Sequence, residues 1–95
     1  MEKYLIVIEK AASNHSAYSP DVPGCIATGR TIEETLVEMK AALEFHFESM
    51  LADGDAIPRP RGLPSYQDAQ RESEGVSYVL AFVDPVEVIP QATHA

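Results

Sequence analysis

The chain has 95 residues, enough for one domain around one hydrophobic core. Fifteen acids against seven bases give a formal charge of −8 and a pI near 4.6, which argues against a nucleic-acid-binding face and against docking on an anionic membrane. Apolar residues make up 45% and fall in runs, so the chain is a folding one, and its charge either keeps it soluble or suits a cationic protein partner.

The single cysteine, Cys25, has no internal disulfide partner and reads as a small buried hydrophobe. Met1 leads straight into Tyr4-Leu5-Ile6-Val7-Ile8 without a signal-peptide pattern, so a reducing cytoplasm is the expected location. Tyr4 to Ile8 is β-branched and aromatic and predicts a strand that Glu9 and Lys10 carry toward solvent. A short strand over His15–Ser19 follows a small polar turn. In Pro20-Asp21-Val22-Pro23-Gly24, Pro23 and Gly24 suit the centre of a type II turn, and Cys25 to Thr28 predicts a third strand.

Thr31-Ile32-Glu33-Glu34 is a capping box that opens a helix running to about Ala52, with Gly54 as its left-handed stop. Ile32, Leu36, Met39, Leu43, Phe47 and Met50 lie within a band of roughly 80° and predict the face turned to a sheet. Phe45 points the other way, beside Ala41 and among Val37, Glu44 and Glu48. It is either a single exposed ring or the centre of a contact surface, and Glu44, Phe45 and Glu48 are the candidate partner-contact residues.

Residues 55–75 read as irregular, with an extended Ile57-Pro58-Arg59-Pro60-Arg61 and a helical turn or more within Ser65–Glu74. Val76 to Val83 is a nearly continuous apolar run, the pattern of a strand covered on both faces, and the tail from Pro90 predicts a strand extension or a frayed end. The expected fold is α+β in the order β-β-β-α-β. Its sheet is mixed and four-stranded, with a right-handed crossover, one main helix on one face and the other face open.

No catalytic, cofactor or metal site is expected. His15, His46 and His94 lack ligand-spaced partners, Cys25 lacks a paired histidine, and the five glycines form no phosphate loop. The strand order is that of the front half of a ribonuclease H fold, which makes Glu9 and Asp21 the acids to test for a metal-dependent nuclease. Asp21 is more simply a turn residue, and the glutamates of the helix a solvated face. Arg59 and Arg61 are too few to anchor RNA on so acidic a chain.

Several segments resemble HicB-family antitoxins. They are Tyr4 to Lys10, Tyr18-Ser19-Pro20-Asp21-Val22-Pro23-Gly24-Cys25, Ala27-Thr28-Gly29, Thr31 to Leu36, Lys40-Ala41-Ala42-Leu43-Glu44, and Gly54 with Ile57-Pro58-Arg59-Pro60. The resemblance covers about residues 3–60. It implies a degenerate, partial ribonuclease H-like fold without nuclease activity. It further implies binding to a small basic HicA-type toxin, an mRNA-cleaving ribonuclease that relies on a histidine. Many family members append a DNA-binding segment; the twelve residues after Val83 cannot form one, so residues 1–95 are expected to be a single domain without direct DNA binding. The expected function is neutralisation of such a toxin. The alternative is a stand-alone oligomeric binding protein on the same fold. Unpaired sheet edges predict a homodimer or higher homo-oligomer in either case.

Overall fold

Three strands, β1 (Tyr4–Lys10), β2 (His15–Ser19) and β3 (Val22–Gly29), form an antiparallel meander in a computed structural model that describes residues 2–90. The hairpin between β2 and β3 turns at Pro20 and Asp21, with Ser19 opposite Val22. Gly24 does take the left-handed φ of +83° expected of it. It does so inside β3, however, where the register slips from Ser19↔Val22 to Tyr18↔Ile26. The Pro23-Gly24 pair therefore forms a bulge in an edge strand and not the predicted turn.

Helix α1 (Ile32–Ala52) starts at Thr31, whose Oγ1 accepts from the Glu34 amide at 3.0 Å. The Glu34 carboxylate reaches one residue further back than expected and accepts from the Arg30 amide at 2.7 Å. The stop is as read: Gly54 has φ +76°, and the Asp55 amide closes onto the Met50 carbonyl at 2.8 Å. Entry to the helix is tight, because a Cβ on Gly29 would lie 2.7 Å from the Thr35 backbone nitrogen. Met39, Leu43 and Phe47 are fully buried, and Leu36 and Met50 are partly so. They pack on Tyr4, Ile6 and Ile8, the residues of β1 that point to one side.

Leu5 and Val7 point to the other side, which is not left open. Helix α2 (Leu63–Glu72) covers part of it through Ala69, with Tyr18 and Tyr78 beside them. The helical turn or more read within Ser65–Glu74 is thus a full second helix that begins two residues earlier, at Leu63. Prolines 58 and 60 do keep the approach to it extended, and the Tyr4 hydroxyl pins it by donating to the Pro58 carbonyl at 2.6 Å.

This second helix also corrects the sheet. Ser65 sits near the Leu5 end of β1 through Asp21, while Ser73 reaches Glu9 at the far end, so α2 runs alongside β1 in the same direction. That pass adds a chain reversal. Strand β4 (Tyr78–Val83) consequently returns antiparallel to β1, with Tyr4↔Val83 and Glu9↔Tyr78. The sheet is antiparallel throughout, in the order β3-β2-β1-β4, and contains no parallel crossover, so the mixed sheet expected from the sequence is not formed. Nor is β4 covered on both faces, since Val79, Leu80 and Phe82 are exposed. A short helix α3 (Pro85–Val88), capped by Asp84 and Glu87, then tucks Val88 under α1; the residues after Pro90 lie outside those described.

Candidate functional site

The outer face of α1 spans an arc of roughly 140° opposite the core stripe. It carries Glu33, Glu34, Glu38, Glu44 and Glu48 around Val37, Ala41 and Phe45. Phe45 is 73% exposed and Val37 63%, so the helix is rotated as its periodicity dictates. Val37, Ala41 and Phe45 follow one another at i, i+4 and i+8, a row that lies on one side of a helix. The small Ala41 leaves a shallow step between the two larger side chains.

The charge of this face is largely uncompensated. The only lysine or arginine within α1, Lys40, pairs with Glu87 of α3 at 3.2 Å. Arg30 bridges Glu34 at 3.5 Å, and that carboxyl is held below the usual range by the Arg30 amide and then by its guanidinium. Glu44 and Glu48 have no basic neighbour among the described ion pairs. The face therefore offers an apolar ring inside an acidic rim on a rigid element, an arrangement suited to a cationic surface with an apolar recess.

The acids tested for nuclease chemistry are both engaged elsewhere. Asp21 is 4% exposed. Its Oδ2 accepts from the Leu5 amide at 3.2 Å, and its Oδ1 accepts from the Arg61 amide at 3.1 Å, from Arg61 Nε at 3.2 Å and from the Ser65 hydroxyl. It is more than a turn residue: it ties the start of β1, the hairpin and the start of α2 together. Glu9 accepts from the Ser73 hydroxyl at 2.7 Å, which in turn accepts from Tyr18 Oη at 2.9 Å. Glu9 and Leu5 are four residues apart on one strand, about 13 Å, so the two carboxylates do not share a site.

Arg61 is also committed, to Asp21 and to Asp68 at 2.8 Å, and the Asp68 carboxyl is held low by that guanidinium. The Cys25 thiol is buried and pushed up by burial, as befits an inert core residue. Of the open sheet face expected from the sequence, an apolar patch remains on the α2 side of β4. It consists of Leu80 and Phe82 with Tyr66, whose ring lies 6.1 Å from that of Phe82. The uncharged run Ser77 to Val83 signalled it, but was read as doubly buried; α2 is too short to cover it.

An antiparallel sheet with a long capped helix on one face and a shorter one on the other is the fold of HicB antitoxins. Residues 4–95 match the HicB-like antitoxins of bacterial toxin-antitoxin systems, and the chain belongs to that family. A chain of a solved HicA3 and HicB3 toxin-antitoxin complex superposes with a TM-score of 0.69 at 30% identity, covering 86% of this chain and 95% of that one. The crystal structure of antitoxin HicB3 gives a TM-score of 0.72 at 28% identity, over 98% of this chain and 70% of that one. A 14.9 kDa protein of the rep-hol intergenic region of Haemophilus phage HP1 (strain HP1c1) is 33% identical over 81 residues. The match covers 85% of this chain and 59% of that relative, so the chain spans less than two thirds of its length.

Proposed function

We propose that this protein neutralises a small basic HicA-type, mRNA-cleaving toxin by binding it directly, through Phe45 with Glu44 and Glu48 on the outer face of α1. The observation that carries the reading is the exposed aromatic ring set in an acidic rim. An aromatic side chain on a rigid element supplies contact area at little entropic cost, and surrounding charge steers a cationic partner to it. Family membership and the HicA3 and HicB3 complex support a toxin of this kind as the partner.

The protein acts by occupying its toxin and not by catalysis. The Glu9 and Asp21 carboxylates, the residues a ribonuclease H-like nuclease would use, serve hydrogen bonds within the fold. The protein needs no cofactor for this and works in the cytoplasm, where the toxin's messenger RNA substrate is found. No described helix is long and apolar enough to cross a membrane. The protein assembles at least as a dimer. A second reading, a stand-alone oligomeric binding protein without a toxin, draws on the uncharged β4 edge, a feature that toxin binding does not require.

Co-expression with the product of an adjacent small basic reading frame tests the first reading. Growth arrest by the neighbour alone, relieved by this chain in a complex that survives purification, is the expected result. A neighbour that arrests growth regardless, with no complex recovered, would leave the stand-alone reading.

A further inference from the structure

Lys40 has two carboxylates within its reach. It is the only lysine or arginine within α1, and its neighbours one turn away on that helix are Leu36, Val37, Leu43 and Glu44. Glu44, at i+4, is thus the acid that its own helix offers. The structure gives Lys40 instead to Glu87 of α3, with Nζ 3.2 Å from Oε1. Glu44 is left without a basic neighbour among the described ion pairs.

Two features decide that choice. A lysine four residues before a glutamate is the weaker order for a helical pair, because it runs against the helix dipole. Glu87, by contrast, is already fixed. Its Oε2 accepts from the Asp84 amide at 3.0 Å, the reach-back half of the capping box that closes α3, and Val88 beside it is buried against α1. A carboxylate held in place loses little freedom on taking a lysine, whereas Lys40 and Glu44 would both have to be ordered. Both members of the Lys40–Glu87 pair are half-exposed, so the pair adds little to stability. Its effect is on where the charges lie.

We propose that Glu87 is a positioning residue for the acidic face of α1: it draws Lys40 to α3 and leaves the Glu44 carboxylate free for a cationic partner. This rests on the reading of that face as the toxin-binding surface. Around the helix axis Lys40 lies roughly 40° from Glu44 and roughly 100° from Ala41, at the margin of the face. Turned toward Glu44, its ammonium would neutralise one carboxylate of the rim. It would also bring a positive charge onto a surface that attracts its partner by being negative.

Glu87→Gln tests this, because glutamine keeps the reach-back to the Asp84 amide and with it α3, while its remaining NH2 group is a donor and cannot hold a lysine. One readout needs no partner: the side-chain nitrogen resonance of Lys40 in the full chain. Glu44→Gln should leave it in place in the wild type and move it in the Glu87→Gln background. The other is the association rate with the product of the adjacent small basic reading frame, by surface plasmon resonance at low salt. Glu87→Gln should slow association about threefold. Glu74→Gln, which removes the same charge at an exposed site outside α1 and α3, should slow it less. Adding Lys40→Gln to Glu87→Gln should restore the wild-type rate, and Glu44→Gln, which slows the wild type, should add little to Glu87→Gln. A Lys40 resonance that already follows Glu44 in the wild type, or that ignores it in the Glu87→Gln background, overturns the role of Glu87 while Glu44→Gln still slows association. So does an additive effect of Glu44→Gln and Glu87→Gln on the rate. Association that is absent, or indifferent to Glu44 and Glu87 alike, overturns the binding reading and the proposal with it.

Discussion

The carboxylate of Asp21 is satisfied wholly from within the protein, by the Leu5 and Arg61 amides, the Arg61 guanidinium and the Ser65 hydroxyl. Of these partners only Arg61 is substantially exposed and able to recover its hydrogen bonds from water. In Asp21→Ala the Leu5 amide and Ser65 hydroxyl lose their acceptor in the interior, an expected destabilisation of about 2–4 kcal/mol. Asp21→Asn keeps one acceptor oxygen and should lose less. Urea unfolding at pH 7 measures both, and an unshifted midpoint for the alanine variant would contradict the role given to this residue. Sequence alone placed Asp21 in a turn, correctly. Its other partners lie at positions 5, 61 and 65, contacts that only the tertiary fold brings together.

At the scale of elements, α1 has a buried face that holds the core and an exposed face proposed for binding. Phe45→Ala removes an exposed ring, so the unfolding free energy should change by less than about 0.5 kcal/mol. Affinity for a basic toxin should nonetheless fall tenfold or more, as expected for a central aromatic anchor. Glu44→Lys with Glu48→Lys should act mainly by slowing association and flattening its salt dependence, read by surface plasmon resonance at two ionic strengths. Helix α1 was legible because one stripe and its caps state the same thing: Met39, Leu43 and Phe47 inward, Phe45 outward, Thr31 before and Gly54 after. Strand β2 was equally plain. Helix α2 was not, since Leu63, Pro64, Tyr66 and Gln67 lack an apolar period and its burial rests on Ser65 and Ala69. Missing its full pass across the sheet is what made β4 look parallel and doubly covered. The contact role proposed for Phe45 rests on position alone, because exposure does not name a partner.

For the molecule as a whole, acid should act through carboxylates whose folded-state values are depressed. Glu34 is held low by the Arg30 amide, Asp68 by Arg61, and Glu87 by the Asp84 amide and Lys40. Each remains ionised in the native state at a pH where the unfolded chain takes up its proton. Their contribution is therefore complete above the ordinary carboxylate range and disappears as pH falls through the lower folded values. The urea midpoint should hold from pH 7 to about 5 and drop below about pH 4, less steeply when the three are replaced by Gln, Asn and Gln. Asp21 has a further consequence at this scale. Its partners are 16, 40 and 44 residues away along the chain, so its contacts close long loops and should form after the transition state. Asp21→Ala should then leave the refolding rate nearly unchanged and place its effect on unfolding, about thirtyfold or more for 2 kcal/mol. Stopped-flow refolding and unfolding arms would read this directly. The buried aspartate would act as a latch that sets the lifetime of the native chain, and with it how rarely a protease finds the chain open.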